Sequence, residues 1–125
     1  MNLHCDPIFL QTAQQVLLKD LTVLFCSYNL EALSAHLAED IQWQLVGDAP
    51  IQGKASFLEA LASMQGNPAT ALEILGIIES GQHGAIHGTM TMRDGQKFGF
   101  TDFYEFSDGK VQLLTSYVVL WQPGR

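Results

Sequence analysis

Two side chains in this sequence have the type and spacing to share acid–base chemistry, Asp102 and His87. Asp102 stands in the stretch FTDFYEFSDGK, Phe100 to Lys110, among alternating aromatics. A strand sends alternate residues to one face, so Phe98, Phe100, Asp102, Tyr104 and Phe106 are expected to lie together. A carboxylate on so apolar a face is costly unless it is paired, protonated or open to a polar cavity. That marks Asp102 as a candidate proton carrier. The alternative is an aspartate near the sheet edge, solvated or held by a backbone amide.

His87 enters through a turn. The run Ala85 to Met92 leads into Arg93-Asp94-Gly95-Gln96, and Asp-Gly between two strand-like runs is the strongest short hairpin signal. With Asp94 and Gly95 as the two turn residues, Asp102 faces His87 directly. Opposed residues project to one face with Cβ atoms about 4.5–5.5 Å apart. An imidazole–carboxylate hydrogen bond at that range orients a general acid or base. The pair rests on the turn type, since a one-residue bulge breaks it; the alternatives are a histidine paired on the outer face or a bond that is structural only. The same face assignment puts Thr89 and Thr91 on a pocket wall, as ligand hydroxyls or as residues chosen for strand propensity.

Periodicity supplies the elements that position these groups. Leu10, Ala13, Leu17, Leu21 and Leu24 recur at helical spacing from Pro7 to Phe25, with Asp6 as N-cap and Pro7 in the first turn. Asn29 caps a short helix bearing Leu30, Leu33 and Leu37, ended by Glu39-Asp40. A strand follows over Ile41–Val46, with Trp43 on the pocket floor. The third helix runs from Gly53-Lys54 to about Met64 and supplies Phe57 and Leu61 as a lid. Strands are expected over Thr70–Glu79, Ala85–Met92, Lys97–Phe106 and Val111–Trp121. A three-residue loop, Ser107-Asp108-Gly109, with Gly109 in a left-handed bulge, turns Leu114, Ser116 and Val118 inward. Thr115, Tyr117, Val119 and Trp121 then face outward, a set apolar enough to imply an interface. Helices first and an antiparallel meander last is the α+β pattern.

Composition narrows the function classes. The 125 residues are expected to form one domain, 1–125, and 47% of them are apolar against 15% charged. Thirteen acidic residues outweigh six Lys and Arg, which argues against a nucleic-acid partner. Cys5 and Cys26 are too few and too far apart for a disulfide framework or zinc site, so reduced thiols and a cytoplasmic location are expected. The N-terminal MNLHCDPIFLQ lacks the basic and apolar regions of a signal peptide, and no run is long enough to span a bilayer. His4 and Cys5 alone do not make a metal site.

The order of elements resembles the nuclear-transport-factor-2-like superfamily and, within it, the SnoaL-like proteins. The landmarks are LEALSAHLAEDIQW, the loop APIQGK and the closing FTDFYEFSDGKVQLLTSY. The resemblance implies a strongly curved antiparallel sheet wrapped around a pocket, covered by about three N-terminal helices. Members include isomerases, cyclases, dehydratases, epoxide hydrolases and pure binding domains, so fold alone does not fix activity. Relative to ketosteroid isomerases, Leu45 stands where the catalytic aspartate is expected and Leu21 where the tyrosine is. Only Asp102 matches an acidic position of that group. SnoaL-like polyketide cyclases resemble the chain better, with an aspartate and a histidine at the approximate places of Asp102 and His87.

The resemblance and the residues together imply a cofactor-free site for an apolar small molecule. Asp102 and His87 are its expected acid–base pair. Trp43, Leu45, Phe57, Leu61, Thr89, Thr91, Phe98, Phe100, Tyr104, Leu114, Ser116 and Val118 are its expected walls. A homodimer through the convex face is expected, at Thr115, Tyr117, Val119 and Trp121. The alternative is a non-catalytic domain of the same fold that binds a ligand or a protein partner.

Overall fold

Local capping decides where the first helix begins. The computed structural model describes residues 1–122. Asp6 caps only a single 3-10 turn, Pro7–Phe9, its carboxylate accepting from the Ile8 amide at 2.9 Å. The helix proper, α1 (Ala13–Cys26), starts at Thr12, which shares a capping box with Gln15. Its buried stripe is Leu18, Leu21, Thr22 and Cys26, so the stripe expected through Leu17 and Leu24 is rotated by about one residue. Tyr28 follows with φ 56, an uncommon left-handed conformation for a bulky residue. Asn29 then caps α2 (Leu30–Ser34) through the Ala32 amide. That helix is shorter than expected, because Leu37 already belongs to the next strand.

Seven strands form one sheet in the order β1-β4-β5-β6-β7-β2-β3. They are β1 (Asn2–Cys5), β2 (Leu37–Leu45), β3 (Ile51–Gln52), β4 (Ala69–Ser80), β5 (His83–Met92), β6 (Lys97–Ser107) and β7 (Lys110–Leu120). The third helix, α3 (Lys54–Ala62), buries Phe57 and Leu61. The N-terminal segment pairs in parallel with β4 from Asn2↔Ala71 to Cys5↔Ile74. The fold is α+β: three helices lie against a curved, unclosed and mostly antiparallel sheet. Helix and sheet approach closely where Gly84 faces α1, since a Cβ there would come within 2.6 Å of the Leu18 side chain.

Two hairpins set which residues face inward. Between β5 and β6 the loop has three residues, Arg93-Asp94-Gly95, with Gly95 at φ 91 and Met92 N–H donating to Gln96 O at 2.8 Å. Asp94 holds this form by accepting from the Gln96 amide at 2.9 Å. The extra loop residue pairs Ile86 with Asp102 and His87 with Thr101. A one-residue change of register moves every side chain to the other face.

The β6–β7 hairpin differs from expectation in the opposite sense. Its loop has two residues, Asp108 at φ 51 and Gly109 at φ 74, the signs of a type I′ turn. A bulge then interrupts the ladder between Glu105 and Phe106, leaving Gln112 as the additional residue on β7. The short turn and the bulge offset each other in parity. Asp102 therefore pairs with Ser116, and Phe100 with Val118.

Candidate functional site

A cavity of about 330 Å³ opens between the helices and the inner face of the sheet. Its deep end is built from Cys26 of α1, Trp43 of β2, Phe100 and Asp102 of β6, and Ser116 of β7. Met64, after α3, and Val118 are exposed and stand nearer the mouth. Three aromatic rings stiffen one wall. Phe25 meets Trp43 edge-on at 5.3 Å, and Trp43 packs on Phe57 at 4.7 Å.

Asp102 is the acidic group of the lining. The residue is half-buried and forms part of the cavity wall. Burial raises its pKa to about 6, the net of desolvation against a smaller lowering by the Ser116 hydroxyl. A carboxyl poised there is mostly ionised at neutral pH yet readily protonated, which suits a group that takes up and returns a proton. The Trp43 indole donates to the Ser116 hydroxyl at 3.1 Å, with both side chains buried.

Other titratable groups surround the carboxyl. Burial, reinforced by Asp102, pushes the Cys26 thiol up to about 12. Tyr104 is raised well above its ordinary value, by burial first and Asp102 second, against a hydrogen bond with Thr22. Thr22 in turn donates to Leu18 O at 2.9 Å. Burial also raises the Tyr28 phenol. All three are protonated at neutral pH.

His87 does not reach this site. It lies exposed on the outer face, with its ring over Gly76, where an added Cβ would sit 2.7 Å from Nε2. The expected Asp102–His87 pair is therefore corrected, and its cause is the three-residue turn. Thr89 and Thr91 move to the outer face with it and line a shallow groove beside β1. Trp43, Leu45, Leu61, Phe98, Phe100, Ser116 and Val118 do line the cavity. Phe57, Tyr104 and Leu114 are buried behind the wall instead. Thr115 is half-buried on the outer face, where Tyr117, Val119 and Trp121 are exposed.

Sequence reading missed Phe25, Cys26, Tyr28, Asn67, Met90 and Met92, all of which line the cavity. Met90 and Met92 alternate with Thr89 and Thr91, so the correct turn length would have exposed them as inward. Cys26 lies four residues beyond Thr22, on the stripe that was placed one position off. No such periodic signal marks Asn67, which is tied to Asp94 by a 3.1 Å hydrogen bond. Among the described residues no cluster of three or more His, Cys, Asp or Glu is arranged to hold a metal ion, and no helix is long and apolar enough to cross a membrane.

The fold has counterparts among solved structures. A candidate ketosteroid isomerase from Kribbella flavida superposes with a TM-score of 0.73 at 22% identity, over 88% of this chain and 81% of its own. An M. tuberculosis LEH-like epoxide hydrolase gives 0.67 at 22% identity, over 78% and 75%. A candidate polyketide cyclase from Sinorhizobium meliloti gives 0.63 at 21% identity, over 78% and 93%. Likeness at these identities concerns the fold alone. No protein of curated function matches the chain in sequence. Residues 21–114 match the sequence profile of the SnoaL-like domain, and the chain belongs to that family.

Proposed function

We propose that the chain binds an uncharged, largely apolar small molecule in the inner cavity and moves a proton on it with Asp102. One observation carries this reading: an apolar cavity with the Asp102 carboxyl at its deep end, where burial raises the pKa. The volume is at the small end for ligand sites. Among the described residues the lining includes no Lys, Arg or His, which disfavours an anionic ligand.

The suited reaction is proton transfer next to a carbonyl. The Asp102 carboxylate takes the α-proton, the C–H electron pair becomes the enolate double bond, and the proton returns to the same or a conjugated carbon. Tyr28, in the lining with its phenol protonated, supplies a donor for the enolate oxygen. This chemistry requires no cofactor. It agrees in kind with the neighbours named as a candidate isomerase and a candidate cyclase.

The test is substrate-agnostic. A panel of enolisable cyclic ketones is incubated with the protein in D2O, and α-deuterium incorporation is read by mass spectrometry. Exchange above buffer for at least one compound, lost in Asp102→Asn, is expected. Binding without exchange would leave a ligand-binding domain in its place.

The outer face is proposed as the contact between two copies of the chain. Its apolar exposure supports this: Ile78 is 72% and Val119 65% exposed, beside Phe103, Tyr117 and Trp121.

A further inference from the structure

The Trp43–Ser116 contact has a direction that follows from its atoms. An indole N–H only donates, whereas a serine hydroxyl has one proton and two acceptor lone pairs. Trp43 Nε1–H therefore occupies a lone pair of Ser116 Oγ, at 3.1 Å. The hydroxyl proton is left for another acceptor. Ser116 stands directly opposite Asp102 in the β6–β7 ladder, so the two side chains project to the same face of the sheet.

The geometry points to Ser116, set by the Trp43 indole, as a positioning residue that directs its one hydroxyl proton onto the Asp102 carboxylate. The chain of contacts runs across three neighbouring strands, β2, β7 and β6. It holds the carboxylate from the sheet side and leaves its cavity side for a ligand. Both donors are fixed: Trp43 is wedged between Phe25 and Phe57, and Ser116 is buried.

Charge bookkeeping around Asp102 favours the ionised form through this contact alone. Cys26 from α1 and Tyr104 from β6 face it, and both are neutral at the pH where Asp102 titrates. Repulsion from an adjacent anion is therefore absent in that range. A donated hydroxyl proton stabilises carboxylate over carboxylic acid. Without it, burial acts unopposed and Asp102 stays protonated to higher pH.

This inference rests on the proposed role of Asp102, yet its test reads the ligand-free protein and needs no turnover. The Asp102 carboxyl is followed by 13C NMR across pH in wild type and Ser116→Ala. The substitution is expected to raise the midpoint by about one pH unit. In parallel, the Trp43 indole N–H resonance is expected to shift at the Asp102 midpoint in wild type and to lose that step in Ser116→Ala. Trp43→Phe is expected to raise the midpoint less, and to add nothing when combined with Ser116→Ala. The indole readout stands even if Trp43→Phe fails to fold. An unchanged or lower midpoint in Ser116→Ala, or an indole resonance indifferent to Asp102, would overturn the relay. Neither result would bear on whether ketones exchange deuterium.

Discussion

The inner and outer faces of strands β5 to β7 use the same backbone to opposite effect. On the inner face Asp102 is an acid enclosed among Phe98, Phe100 and Cys26, and burial raises its pKa. On the outer face His83 and Glu105 lie 3.7 Å apart, both largely exposed, and His87 is exposed over Gly76. Apolar groups are exposed there too, with Phe103 set edge-on to Tyr117 at 6.1 Å. Residue type alone does not separate the faces; enclosure does. A charge gains chemical use where water is excluded and remains ordinary where water reaches it.

The contrast can be broken first at Asp102. Asp102→Asn is expected to cut ketone α-exchange by about 10²–10⁴-fold, read by deuterium incorporation. The same variant tests the energetics. A carboxyl whose folded pKa is raised favours folding at low pH, and that contribution is lost as pH rises from 3.8 through about 6. Asp102→Asn is therefore expected to be more stable than wild type at pH 8, by up to about 3 kcal/mol. The hydration the cavity allows reduces that figure. The gain should vanish below about pH 4, as judged by urea unfolding at several pH values.

Smaller effects sharpen the comparison. Gly84→Val drives a side chain into Leu18, where helix and sheet touch, and is expected to cost about 1–3 kcal/mol in thermal or denaturant unfolding. On the outer face, Val119→Asp with Tyr117→Asp should change unfolding of the single chain by only about 0.5 kcal/mol. In sedimentation analysis it is expected to convert a dimer to a monomer. His87→Gln should matter least, within about 0.5 kcal/mol. It should also leave the Asp102 titration in place, unlike a change at Ser116.

Much of the fold was legible because it is written in periodicity. The four long strands lie within a few residues of their expected limits, and the α+β order follows from helix-spaced and strand-spaced runs. Turn length was not legible. Both hairpins carry Asp-Gly, but one closes with three residues and the other with two. Asp-Gly marks a reversal without fixing how many residues flank it, and here the choice is made by the Asp94 side chain bonding the Gln96 amide.

The two misjudged turns had different consequences. In the first hairpin the error carried His87, Thr89 and Thr91 to the wrong face. In the second, the Gln112 bulge restored the parity, so Ser116 and Val118 still line the cavity. Asp102 was legible from its aromatic neighbours alone. Its true neighbour, Ser116, depended on a bulge that no local pattern announces.

The most direct test of the central claim is the midpoint of the Asp102 carboxyl in the folded, ligand-free protein, followed by 13C NMR. A midpoint near 6, unchanged by His87→Gln, is expected for a carboxyl enclosed at the deep end of the cavity. A midpoint at the ordinary carboxylate value of about 4, or one that moves when His87 is replaced, would contradict that account.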